Sequence, residues 1–364
     1  MSNASIRFNT QQRLFFKTAK SRVDEYFKTN KISKSGNWTM AVKTIVLLGI
    51  YFVPYAFMVG GYISSLSGII LVGIAMGFGM ASIGLSVMHD ANHGSYSKNQ
   101  HINRLLSYTL NMLGGHYLNW RLQHNELHHT FTNIHDHDED IAPVGILRFS
   151  PHAPLKKVHR FQFIYAWFFY GFMTFMWVTT KDFVALKRYR DMGLLKTKNI
   201  SYRKHLIALI VGKLLYYIYM VGIPVLVTGL PVLYVLIGFA VLHFVAGLTL
   251  AAIFQPAHVI EETNFPIPDA TGNMENDWAV HQLYTTANFA PKSRITSWFI
   301  GGLNYQVEHH LFPSICHIHY RKLSKIVRTT AQEFNLPYHE KTTFFTALIS
   351  HTKTLMRLGK PLTA

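Results

Sequence analysis

Imidazole is the reactive group this chain carries in excess: 21 histidines against one cysteine in 364 residues. Three clusters stand out, His89-Asp90-Ala91-Asn92-His93, His124-Asn125-Glu126-Leu127-His128-His129 and Gln306-Val307-Glu308-His309-His310. At this histidine content about one H-x-x-x-H pair is expected by chance, and about 0.1 H-x-x-x-H-H, so the three together are not an accident of composition. Helix residues four apart share a face, which lets His89 with His93, and His124 with His128, each turn two imidazoles toward one centre. His129 then points about 100° away, toward a second centre. Gln306, His309 and His310 also fall largely on one face, and His258, in Phe254-Gln255-Pro256-Ala257-His258, is placed to add an eighth histidine. Eight imidazoles exceed the needs of one tetrahedral zinc and fit a pair of late first-row metals with open positions. Asp90, Glu126, Asp138, Asp140 and Glu308 are candidates to fix the imidazole tautomers. His243 lies inside an apolar helix and reads as a packed residue. His281 is the first of the remaining histidines to consider as a further ligand.

The elements that must hold these groups are apolar helices. Hydrophobic residues make up 49% of the chain and charged ones 15%, a balance that indicates an integral membrane protein. Residues 44 to 88 contain no Asp, Glu, Lys or Arg, and as one helix they would extend about 67 Å, twice the hydrocarbon core. They are expected to fold back as a hairpin with its turn between Gly60-Gly61 and Ser64-Ser65. A second hairpin is expected between 206 and 257, turning at Thr228-Gly229-Leu230-Pro231, with Lys213 its one basic residue. The expected fold is therefore all-α: four transmembrane helices, near 44–60, 66–88, 206–227 and 232–256, plus a helical cytoplasmic cap holding a two-metal site. Residues 1–43 read as a basic N-terminal segment, 44–330 as the membrane domain and 331–364 as a helical C-terminal tail. Gly73, Gly77 and Ala81 recur every four residues, a spacing that lets a neighbouring helix approach closely.

The uncharged, aromatic segment 161–180 is placed along the membrane interface by parity. A crossing there would put the second and third clusters on opposite faces of the membrane. The net charge of +17 is spread over segments flanking the hairpins and not gathered with aromatics on a soluble module, which argues against nucleic-acid binding. Nine Lys or Arg lie at or before Lys43, and eleven between Lys156 and Lys204, while both hairpin turns have none. The positive-inside rule then makes the termini and the histidine clusters cytoplasmic. Cys316 is the sole cysteine, which excludes a disulfide framework and any cysteine-based metal cluster.

HDANH, HNELHH and QVEHH together resemble the histidine boxes of the membrane fatty acid desaturase family, with a likeness extending over about residues 40 to 330. Gln306, within Gly302-Leu303-Asn304-Tyr305 and Leu311-Phe312-Pro313, resembles the front-end branch of delta-6 and delta-5 type. That branch places a cis double bond between an existing one and the carboxyl end. The resemblance implies a diiron centre held by His89, His93, His124, His128, His129, His258, His309 and His310, with Gln306 beside them, and molecular oxygen as co-substrate. It implies a fatty acyl substrate carried as acyl-CoA, on acyl carrier protein or in a lipid. Many front-end enzymes contain a fused cytochrome b5 domain with a His-Pro-Gly-Gly motif. These residues contain none, so a separate electron donor is expected: ferredoxin, flavodoxin or free cytochrome b5. A bacterial inner membrane is a compatible location. The alternatives are hydroxylation or ketolation on the same scaffold, and a membrane metal transporter. The transporter would need more ionisable groups in its spans than Lys213 and His243 provide.

Overall fold

The computed structural model describes residues 6–141 and 145–361. Among the described residues four helices are long and apolar enough to cross a membrane: Trp38–Val59, Leu66–Asn92, Tyr202–Thr228 and Val232–His258. Each matches an expected span, and both turns fall where the Gly-Gly and Gly-Leu-Pro sequences lie. Three of the helices run past the expected C-terminal ends and two begin before the expected starts, while Val59 stops just short of 60, since helical winding does not stop where apolar sequence does. Large apolar side chains such as Ile45 (70% exposed) and Leu226 (84%) face outward, as a hydrocarbon solvent allows. The chain is a membrane protein.

The chain divides into two units. One comprises residues 38–122 and 167–251 and contains most of the apolar helices. Its interior is built from Leu47, Tyr51, Met76, Met80, Ile83, Tyr216, Phe239 and Leu242, among others. The small-residue spacing has the expected effect: a Cβ added at Gly73 would lie 2.7 Å from the Gly238 carbonyl oxygen, and one at Gly77 would lie 2.8 Å from that of Leu242. The helices Leu66–Asn92 and Val232–His258 thus meet backbone to backbone. Lys213 is buried and donates to Asp182 Oδ2, the Gly114 carbonyl and the Trp177 carbonyl, each at 2.6 Å. Asn119 Nδ2 donates to Asp182 Oδ1 at 3.2 Å. His243 is the packed residue expected, held between Tyr216 OH (2.8 Å) and Thr174 Oγ1 (3.1 Å).

The aromatic segment around 161–180 is not one straight helix. Lys157–Tyr170 and Met173–Asp191 are bent by 66°, and the second arm carries Lys181, Asp182, Lys187, Arg188, Arg190 and Asp191. The break falls where a Cβ at Gly247 would stand 2.6 Å from the Gly171 carbonyl oxygen.

The other unit comprises residues 6–37, 123–141, 145–166 and 252–361. The helix Arg13–Thr29 packs its Phe15, Ala19, Val23 and Phe27 face on Leu323, Val327 and Ala331 of the helix Tyr320–Glu333, an apolar stripe at helical spacing. A feature the sequence reading did not include is a pair of three-residue strands, Ala287–Phe289 and His339–Lys341. They pair in parallel with Asn288 opposite Glu340.

Candidate metal centre

His89 and His93 close the Leu66–Asn92 helix, just beyond a π-helical stretch, Ile83–Met88. Their rings lie 4.7 Å apart, with the Trp120 ring 5.5 and 5.7 Å from them. The expected shared face is present, and Asp90 Oδ1 lies 3.7 Å from His89 Nδ1.

The second unit brings seven of the expected residues together: His124, His128, His129, His258, Gln306, His309 and His310. All seven are buried. The second cluster differs from expectation in one respect. Arg121–His128 is wound as a π-helix, whose hydrogen bonds run five residues back. His124 therefore aligns with His129, Nε2 to Nε2 at 3.2 Å, and not only with His128, whose ring stacks at 5.2 Å. His309 Nε2 completes a triangle, 2.9 Å from His129 Nε2 and 3.4 Å from His124 Nε2. His128 instead groups with His258 and His310, their ligand atoms lying within 4.8 Å of one another, and a further group joins His129, His309 and His310. Gln306 Nε2 stands 2.9 Å from His258 Nε2 and 3.4 Å from His310 Nε2. The Gln306–Leu311 helix supplies Gln306, His309 and His310, at positions i, i+3 and i+4, largely from one face.

The outward-facing nitrogens are assigned by their partners. His128 Nδ1 donates to Asp138 at 2.9 and 3.0 Å, and His124 Nδ1 to Asp140 at 2.9 Å. His310 Nδ1 donates to Gln282 Oε1 at 2.8 Å and His258 Nδ1 to the Thr285 carbonyl at 3.3 Å. His309 Nδ1 lies 3.3 Å from Tyr320 OH. With the proton on Nδ1, each Nε2 carries a bare lone pair directed inward. Burial disfavours a charged His128 imidazole, but Asp138, and Asp140 behind it, outweigh this and raise its pKa. Asp138 is itself fixed by the backbone N–H groups of Asn133 (2.8 Å) and Asp140 (2.9 Å).

The Nε2 atoms of His124, His129 and His309, 2.9 to 3.4 Å apart, form a crowded cluster of nitrogens that a cation among them would hold together. Metal–nitrogen bonds of about 2.1 Å at tetrahedral to octahedral angles space the nitrogens about 3.0 to 3.4 Å apart. His128 Nε2, wholly buried, has no hydrogen-bond partner among the described residues. The donor set fits metal ions with imidazole ligands.

Of the acidic partners expected, Asp138 and Asp140 hold imidazoles. Glu308 does not: its side chain turns to Asn288 Nδ2 (2.8 Å) and Tyr338 OH (2.9 Å), because neighbours on a helix point in different directions. Burial pushes its carboxyl up to about 8 against those hydrogen bonds. His281 belongs to none of the metal-competent groups among the described residues. It donates to the Thr132 carbonyl at 2.8 Å, and burial lowers its pKa to about 4. Gln282, Asn133 and Thr285 carried no signal in the sequence, being common polar residues far from the boxes.

Helices long and apolar enough to cross a membrane, together with buried imidazole clusters that could hold metal, define a membrane protein with a candidate metal centre. Residues 63–342 match the family described as fatty acid desaturase. The chain is 38% identical over 359 residues to an sn-1 linoleoyl-lipid 6-desaturase of Synechocystis, covering 98% of each chain. It is 35% identical over 347 residues to an acyl-lipid (8-3)-desaturase of Physcomitrium patens, covering 95% of this chain and 72% of that one. A similar protein in Mortierella alpina, also named an acyl-lipid (8-3)-desaturase, is 32% identical over 351 residues, covering 95% and 78%. The chain belongs to the fatty acid desaturase family, and it is an oxidoreductase that desaturates fatty acyl chains.

Proposed function

We propose that the chain introduces a cis double bond into an acyl chain carried on a membrane lipid, on the carboxyl side of an existing double bond. The substrate and position are supported by the likeness to sn-1 linoleoyl-lipid and acyl-lipid (8-3) desaturases. The ligands are His89, His93, His124, His128, His129, His258, His309 and His310, with Gln306 holding a weak ligand position or a water, and the metals are two iron ions. Iron with molecular oxygen, two electrons and two protons would supply the oxidising power to remove two hydrogens from adjacent methylenes, with two molecules of water as the other product. Asp138, Asp140, Gln282 and the Thr285 carbonyl hold the imidazoles in the Nδ1–H tautomer, so that each Nε2 faces inward. The surrounding burial excludes bulk water, and the chain's further part in the reaction is to hold the methylenes in place. The observation that carries the reading is the His124, His129 and His309 triangle of nitrogens at metal-ligand spacing.

Electrons come from a separate carrier: ferredoxin, flavodoxin or free cytochrome b5. The basic flanks support an orientation with the termini and the metal centre in the cytoplasm, in the inner membrane if the source is bacterial. The segment 161–180 lies along the interface. The test is the fatty acid profile, by gas chromatography and mass spectrometry, of aerobic cells expressing the chain with supplied linoleate, beside a His128→Ala control. A new triunsaturated acid on membrane lipid, absent from the control, is expected. A hydroxylated or keto product in its place would overturn the reading.

A further inference from the structure

The third histidine cluster stands on a helix of six residues, Gln306–Leu311, too short to maintain its own direction. It is fixed from outside at two points. Asn288 Oδ1 accepts from the Val307 backbone N–H at 2.9 Å, one of the donors that a helix start leaves unpaired. The same Asn288 donates through Nδ2 to Glu308 Oε2 at 2.8 Å and to Tyr338 OH at 2.7 Å. Tyr338 OH in turn donates to Glu308 Oε1 at 2.9 Å. The ring is closed: both amide hydrogens, the phenol hydrogen and both carboxyl oxygens are used.

Its two donors arrive on the strand pair. Asn288 is the middle residue of Ala287–Phe289, Tyr338 directly precedes His339–Lys341, and Asn288 pairs in register with Glu340. The Arg328 guanidinium lies over the Tyr338 ring, 5.0 Å from its centroid, and pairs with Glu340. This two-stranded sheet thus carries the groups that grip the helix bearing Gln306, His309 and His310.

We propose that Asn288 and Tyr338 are positioning residues for the metal centre, acting through Glu308 to set the direction in which Gln306, His309 and His310 present their side chains. The proposal rests on the reading of these three as metal ligands or their direct neighbours. Glu308 is suited to the task because its two oxygens accept from two directions at a fixed angle, which an apolar residue could not do.

The full chain in detergent, stripped of metal, would be titrated with Co(II) against a competing chelator, and its ligand-field spectrum and thermal midpoint recorded. Tyr338→Phe and Asn288→Leu are each expected to weaken Co(II) binding about 10- to 100-fold and to alter the ligand-field bands. Glu308→Gln, whose amide still accepts from Asn288 and can donate to the Tyr338 oxygen, is expected to bind Co(II) near the wild-type value. Wild-type affinity and bands in Tyr338→Phe would overturn the proposal. That variant removes one oxygen atom and decides the matter even if Asn288→Leu does not fold. A wild-type chain that takes up no Co(II) would overturn the metal-centre reading itself, and this proposal with it.

Discussion

His124 and His129 are five residues apart, and their Nε2 atoms are 3.2 Å apart because the segment between them is wound as a π-helix. Regular α-helical winding would turn His129 about 140° from His124. Inserting an alanine between Asn125 and Glu126 puts the His124 and His129 imidazoles six residues apart, which neither winding aligns, so the variant should fold with its second cluster out of register. Its iron content, measured by mass spectrometry of the purified protein, should fall, with affinity weakened by at least about tenfold.

Asp138 is held by two backbone N–H groups and in turn holds His128. Asp138→Asn replaces an acceptor by an amide that can present the wrong atom to Nδ1. Metal affinity measured by chelator competition should drop about 10- to 100-fold. An unchanged affinity would show that His128 needs no such partner.

His281 lies beside the second cluster but donates to the Thr132 carbonyl. His281→Asn should therefore retain the wild-type metal content while losing stability. The folded-state imidazole binds a proton less readily than in the unfolded chain, about 4 against 6.5. Its contribution is thus complete above pH 6.5 and is lost as the pH falls toward 4, amounting to at most about 3 kcal/mol. Thermal midpoints of metal-free wild type should fall more steeply across that window than those of His281→Asn.

Lys213 gives all three of its hydrogens to Asp182, Gly114 and Trp177. Lys213→Leu leaves a buried carboxylate without its cation, a change that costs about 3 to 5 kcal/mol. The thermal midpoint in detergent should drop clearly, and the double variant Lys213→Leu with Asp182→Leu should recover part of the loss.

Gly247 admits no side chain, since a Cβ would meet the bend between Tyr170 and Met173 at the Gly171 and Tyr170 carbonyl oxygens, 2.6 and 2.7 Å away. Backbone cannot step aside as a side chain can, so Gly247→Ala should destabilise by about 1 to 3 kcal/mol. Gly212→Ala, where nothing lies within 4 Å, is the control and should be neutral or slightly stabilising.

The spans and the boxes were legible because their signals are local: a long uncharged run can only be a membrane helix, and imidazoles four apart can only share a helical face. The π-winding of Arg121–His128 was not legible, since HNELHH fits an α-helix equally well and the extra residue is revealed only by backbone hydrogen bonds. Glu308 was misread for a related reason. Its place between Gln306 and His309 in the chain hid the fact that it points elsewhere. Asn288, Gln282 and Tyr338 reach the centre from distant segments, and two strands of three residues are too short to show alternation.

The backbone contacts at Gly73 and Gly77 have a consequence for hydrocarbon traffic. Two helices that touch through carbonyl oxygens and bare Cα atoms leave no gap as wide as a methylene chain. That seam is closed to lipid tails, so acyl chains of the bilayer cannot enter the bundle between these two helices.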